Sequence, residues 1–309
     1  MKSVVYCGDS KVALANVPRP QVRPGWALIR VMAAGICGSD LRMYRTSATE
    51  LGSRVGQCAG HEAAGIVEEV GPDAAVKPGD RVLIYHFYGC GHCRYCLSGN
   101  IQLCPKSVGM SAAGCGSSAE YVLAPEINCV RLHDELSFAE GALMACCAAT
   151  SYSGLKKIGI AGDATLTIFG MGPVGLCALL MAKAMGYRVI AVEVSPQRLS
   201  LARSFGADEV IDASQADDVI STIKDKTFGH GAECSLETSG AASVRAQALE
   251  SLAPQGKLIL IGLGKHGAPS LEAYDIILGE KTVAGSYVLP MGMYEPLSDF
   301  LVQRKIGLE

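Results

Sequence analysis

The chain has 309 residues, 49% of them hydrophobic and 18% charged, with a formal net charge of −3. That length points to two domains and that composition to a sizeable buried core. Acids and bases are spread along the chain, which argues against a nucleic-acid-binding arm or a polybasic membrane patch, and the longest apolar stretch, Val174 to Val192, is broken by Lys183 and Arg188, which argues against a membrane span.

Along the first 145 residues the pattern is one of short strands between Gly and Pro turns. Trp26–Ala33 alternates loosely, Gly65–Val70 closes on Gly71-Pro72, and Arg81–Tyr85 follows the turn Lys77-Pro78-Gly79-Asp80. The character changes near Glu140. Strands are expected at Thr165–Phe169, Val189–Val194, Glu209–Asp212, Ala232–Leu236 and Lys257–Ile261, and helices at Pro173–Met185, Pro196–Phe205 and Ala241–Leu252. This alternation predicts an α/β chain in which a β-rich domain precedes a doubly wound parallel sheet covered on both faces.

Three constellations carry chemistry. Cys90, Cys93, Cys96 and Cys104 stand at C-x2-C-x2-C-x7-C spacing. Four thiolates this close in sequence can surround one tetrahedral zinc at about 2.3 Å each. The apolar run in the amino-terminal MKSVVYCGDSK is too short for a signal peptide. Thirteen cysteines without such a signal predict a reducing cytoplasm, where thiols serve metals and packing rather than disulfides.

Gly170-Met171-Gly172-Pro173-Val174-Gly175 is a G-x-G-x-x-G run that follows a predicted strand and opens a predicted helix. There the first glycine allows a tight turn, the second lets backbone approach a pyrophosphate, and the third lets helix and strand pack closely. Glu193 ends the next strand, where an acid accepts hydrogen bonds from ribose hydroxyls and repels a 2′-phosphate. This predicts NAD over NADP, although Arg198 is placed to favour a phosphate instead. Finally, Cys37, His61 and Cys146 offer two thiolates and an imidazole, a three-ligand set that leaves a catalytic zinc one open position. Cys147 competes with Cys146 for the third place.

The CGSD segment at Cys37–Asp40, the GHEAAGIVEEVG segment from Gly60, the four-cysteine lobe, the Cys146–Thr150 segment and the GMGPVG turn together resemble the zinc-dependent medium-chain alcohol dehydrogenases, over nearly the whole chain. The resemblance implies a GroES-like catalytic domain over residues 1–147, completed by 288–309, and a Rossmann NAD-binding domain over 148–287. It implies two zincs per chain: a structural one in the lobe, and a catalytic one on Cys37, His61 and Cys146, with Glu62 a nearby exchangeable ligand and Asp40 orienting His61. The implied reaction moves a hydride from a primary, secondary or polyol alcohol to NAD, with Ser39 taking the alcohol proton. The implied partners are a small-molecule substrate and further copies of the chain, in a homodimer or homotetramer joined through a last Rossmann strand at Thr282–Val288.

Two features depart from the family pattern. Arg42 stands where many relatives carry a relay histidine, and an arginine does not shuttle protons near neutral pH. His86 falls where relatives line the substrate pocket, and would either take over the relay or bind a polar substrate. The sequence also stops at Glu309, before a segment that completes the first domain in the family. The alternative expectation is therefore a truncated or inactive zinc- and NAD-binding homologue without turnover.

Overall fold

The computed structural model describes residues 1–113, 115–160, 162–264 and 271–309. Contacts divide the chain into two units, Met1–Ala149 with Leu289–Glu309, and Thr150–Val288. The sequence places the corresponding changes at 147/148 and 287/288.

The first unit is built on a five-stranded antiparallel sheet, ordered Tyr121–Pro125, Trp26–Gly35, Glu62–Val70, Arg81–Ile84, Cys129–Arg131. The alternating inward residues Ala27, Ile29, Ala63, Val67, Val82, Ile84 and Val122 form its core. A hairpin that the sequence did not suggest, Lys2–Gly8 with Lys11–Asn16, precedes it. Its two turn residues, Asp9 and Ser10, both have positive φ, 52° and 57°. That is the handedness a two-residue hairpin turn needs, here achieved without the usual glycine. After the second unit the chain returns through the helix Tyr294–Gln303, whose first residue is fully buried against Tyr85 at 5.6 Å between ring centroids.

The second unit carries six parallel strands ordered Glu209–Asp212, Arg188–Glu193, Thr165–Phe169, Ala232–Glu237, Leu252–Leu260, Thr282–Gly285. In chain order this is 3-2-1-4-5-6, so the winding reverses at Thr165–Phe169. Right-handed crossovers then place helices on both faces. All five residues of Thr165–Phe169 are buried, as a central strand covered on both sides requires. Helices run over Pro173–Ala184, Pro196–Ser204 and Ala242–Glu250, within one or two residues of the sequence reading. Val219–Lys226, capped by Asp218, is an additional helix.

One expectation is corrected here. The last strand stops at Gly285, not Val288, because Ser286 turns its hydroxyl to Ser153 and Val288 takes a φ of 55° that no strand accommodates. Among the described residues no helix is long and apolar enough to cross a membrane.

Candidate metal centres and dinucleotide turn

Cys37 follows the long strand Trp26–Gly35 and caps the helix Gly38–Arg45. Asp40, in the first turn of that helix, accepts the Cys37 N–H at 2.9 Å through Oδ2. Its other oxygen faces His61 Nδ1 at 3.1 Å and accepts from the Tyr6 hydroxyl at 3.1 Å. One carboxylate therefore fixes the backbone of one candidate ligand and the ring of another, and leaves His61 Nε2 outward for a metal. Tyr6 had no sequence signal; it reaches Asp40 only because the amino-terminal hairpin lies against this helix.

His61 precedes the strand Glu62–Val70, after Gly60 at φ +82°. Glu62 is buried, at 2% exposure. Its carboxylate occupies the space where a side chain at Gly35 would be: a Cβ there would lie 2.0 Å from Glu62 Oε2. Cys146 sits on a π-helical turn, Met144–Ala148, between the helices Phe138–Leu143 and Ala149–Ile158. Single π turns inside helices are frequent at functional sites. Here Cys146 Sγ lies 3.9 Å from Cys37 Sγ, whereas Cys147 Sγ turns back to the Leu143 carbonyl at 3.4 Å. Of the two competing cysteines, Cys146 is the one that joins the group.

The ligand atoms of Cys37, His61, Glu62 and Cys146 all lie within 4.8 Å of one another. Ligands about 2.3 Å from a tetrahedral zinc are about 3.8 Å apart, so the 3.9 Å sulfur separation fits that ion, and it is far beyond a disulfide bond. Electrostatics agree. The Cys146 contact, opposed by burial and aided by His61 and Ser39, holds the Cys37 thiol down to about 3, while Cys146 is driven up by the same contact and by burial. Burial, and then the charge of Cys37, push the Glu62 carboxyl up to about 8. A bound cation would relieve this crowding of acidic groups.

Ser39 and Arg42 are exposed on the same helix as Asp40. His86 is buried, with its ring centroid 5.0 Å from that of His61 and its Nδ1 2.9 Å from the Ala145 carbonyl. Burial first, then the charge of His61, depress it to about 3.

The second centre is the lobe. The strand pair Phe87–Tyr88 and Val108–Gly109 and two single helical turns, Arg94–Leu97 and Ile101–Leu103, bring Cys90, Cys93, Cys96 and Cys104 together, again within 4.8 Å. Cys96 Sγ is 3.6 Å from Cys93 Sγ and 4.0 Å from Cys90 Sγ, which brackets the same tetrahedral edge. The Lys106 N–H points at Cys104 Sγ from 3.4 Å, as backbone donors do around thiolates.

In the second unit Gly170 has φ +94°, and a Cβ on Gly175 would lie 1.9 Å from the Gly170 carbonyl oxygen, so each position demands glycine. A Cβ on Gly172 would meet open space. Gly172 caps the 12-residue helix Pro173–Ala184 without any side-chain cap. The first N–H groups of that helix, after Pro173, thus face a cradle left free for an anion. Glu193 is held by three backbone donors: Met171 N–H at 2.7 Å on Oε2, Val194 and Ser195 N–H at 2.8 and 3.1 Å on Oε1. Arg198 Nη1 is 3.7 Å from Oε2. Thr238 braces the turn by donating to the Phe169 and Gly170 carbonyls, a contact that sequence reasoning missed.

Comparison with known proteins places these features in a family. The model of the alcohol dehydrogenase GroES-like domain matches residues 23–134, and that of the zinc-binding dehydrogenase domain matches residues 173–303. An alcohol dehydrogenase of Geobacillus stearothermophilus is 34% identical over 93% of this chain and 84% of its own length. An NAD-dependent alcohol dehydrogenase of Sulfurisphaera tokodaii is 33% identical over 89% of this chain and 81% of its own. The crystal structure of galactitol-1-phosphate dehydrogenase from Escherichia coli superposes with a TM-score of 0.90 at 27% identity, covering 100% of this chain and 91% of that one.

Proposed function

The chain belongs to the zinc-dependent medium-chain alcohol dehydrogenases, and from that premise we propose that Cys37, His61 and Cys146 hold its catalytic zinc and that Cys90, Cys93, Cys96 and Cys104 hold a structural one. The protein is a zinc-dependent oxidoreductase acting on CH–OH donors, primary, secondary or polyol alcohols, with NAD as hydride acceptor. When bound, zinc supplies Lewis acidity toward the alcohol oxygen and the nicotinamide accepts the hydride.

The protein's own residues do the rest. Asp40 fixes the His61 ring and the Cys37 backbone, so two ligands arrive already oriented. Glu62 stands beside them as an exchangeable ligand. Ser39, on the helix capped by Cys37, takes the alcohol proton at Oγ, and Arg42 one turn further along cannot pass it on, so the proton leaves to solvent from this exposed helix face. The open turn at Gly172 with Val174 and Gly175 receives the pyrophosphate, and Glu193 with Arg198 receives the adenosine ribose. We further propose a cytoplasmic enzyme, from its thirteen cysteines. We also propose a homodimer or homotetramer in which the edge strand Thr282–Gly285 pairs with its copy, removing an open sheet edge.

The observation that carries the reading is the grouping of Cys37, His61, Glu62 and Cys146 within 4.8 Å. Zinc per chain on protein purified without chelator, followed by an alcohol panel with NAD, tests it. Two zincs and alcohol-dependent NADH formation are expected, and Cys37→Ser is expected to lose one zinc and at least about a hundredfold in kcat/KM. A wild-type chain with one zinc and no turnover on any alcohol overturns the reading in favour of a binding homologue.

A further inference from the structure

The imidazole of His86 is buried in the first unit, 5.0 Å from the His61 ring, and its protonation pattern is fixed by a neighbour. Its Nδ1 lies 2.9 Å from the carbonyl oxygen of Ala145, the residue before Cys146. The Tyr294 hydroxyl donates to the same oxygen at 3.4 Å. A peptide carbonyl has no proton to give, so Nδ1 carries a proton, and in the neutral ring that enclosure beside a bound cation favours, Nε2 presents the unshared pair. Among the described residues no protein group donates to Nε2. The same geometry rules out the relay role. A relay must release its second proton to a base, and a peptide carbonyl is not one. What remains beside the candidate zinc ligands is an oriented acceptor in need of a donor. The reacting hydroxyl cannot be that donor, because its single proton goes to Ser39.

We propose that His86 determines specificity by accepting, at Nε2, a hydrogen bond from a second hydroxyl adjacent to the reacting carbinol, so that vicinal diols and polyols are preferred over simple alcohols. This rests on the dehydrogenase reading above. An acceptor that must give up water on binding discriminates against the ligand that cannot donate to it.

Butan-2-ol and butane-2,3-diol differ by that one hydroxyl. The zinc-loaded wild type and His86→Asn are compared by kinetics with NAD and by calorimetric binding of each alcohol. The asparagine amide can still donate to Ala145 but offers nothing at the Nε2 position, so a packing role is kept and the acceptor removed. The wild type is expected to favour the diol, and the variant to raise KM for the diol about tenfold while its kcat, its zinc content and its KM for butan-2-ol stay within about twofold. Equal affinity for the two alcohols in the wild type, or an equal loss for both in the variant, overturns the proposal. If neither alcohol is oxidised but the diol preference in binding disappears in His86→Asn, the dehydrogenase reading falls and the role of His86 stands. If the variant does not fold, the 15N resonances of His86 in the wild type decide. A ring protonated on Nε2 overturns the proposal, and an Nε2 signal that moves with the diol but not with butan-2-ol supports it.

Discussion

Glu237 shows how a single residue is read differently once its surroundings are known. In the sequence it is one more acid at the end of a strand. In the structure it is fully buried, with Oε1 accepting from the Gly240 N–H at 2.7 Å and the Ser239 hydroxyl at 2.6 Å, while Oε2 has no hydrogen-bond donor and lies 3.9 Å from Arg245 Nε. Burial raises its carboxyl above the usual range, and the hydrogen bonds and Arg245 only partly offset this. The sign follows from linkage. A carboxyl raised in the folded state binds its proton more readily folded than unfolded, so stability declines as pH rises from the ordinary carboxylate value, about 4.3, through the raised one. Glu237→Gln keeps the acceptor for Gly240 and removes the titration. Its Tm relative to wild type is expected to be higher at pH 8 than at pH 5, by about 3 °C for each tenfold by which folding strengthens proton binding at this carboxyl. A Tm difference independent of pH would show that burial does not raise this carboxyl.

At the scale of elements, the candidate zinc site is an agreement between one strand end and its neighbour. Gly35 is the last residue of the strand Trp26–Gly35, and Glu62 the first of the strand paired with it. Because a Cβ at Gly35 would come within 2.0 Å of the Glu62 carboxylate, Gly35→Ala must push Glu62 out of the group of ligands or part the strands. Zinc affinity is expected to fall about tenfold and the Tm to drop several degrees, measured by competition with a chromophoric chelator and by thermal melting; unchanged affinity would mean that Glu62 takes no part. Nothing in the sequence marks Gly35 in this way, since one glycine after two alanines reads as an ordinary strand end. The π turn at Met144–Ala148 was equally hidden, because a run of small and apolar residues fits any helix. What the sequence did carry was periodic or spaced: the parallel strands, the glycine turn, and the four cysteines of the lobe. Tyr6, Thr238 and the Ala145 contact of His86 join residues distant in sequence, and no local pattern encodes them.

Across the whole molecule, stability is distributed unevenly, and the two proposed zincs contribute to it in different ways. Cys37, His61 and Glu62 stand at strand ends of a five-stranded sheet with a continuous ladder and core, and Cys146 stands on the π turn Met144–Ala148. The lobe is tied to that core at few points: Tyr88 enters it, Ile101 and Cys104 are buried, and Gln102 accepts from the Tyr85 hydroxyl at 2.9 Å. Between Phe87 and Gly109 the regular structure amounts to one two-residue strand pair and two single helical turns, too little for hydrogen bonds or burial to outweigh the entropy of ordering some twenty residues. Much of its order is therefore expected to come from the four sulfurs and the ion they would close around. Cys104→Ser is accordingly expected to lower the Tm by about 10 °C or more, and Cys37→Ser by only a few degrees despite its greater effect on turnover. Hydrogen exchange separates the two cases by position. On stepwise chelation, loss of activity is expected while the amides of Glu62–Val70 stay protected. Amides between Cys90 and Ser107 then lose protection together when the second zinc leaves. Lobe amides that remain protected in fully metal-free protein would show that the lobe is held by its contacts with the rest of the first unit, such as the 2.8 Å bond from the Met291 N–H to the Gly99 carbonyl, rather than by its metal.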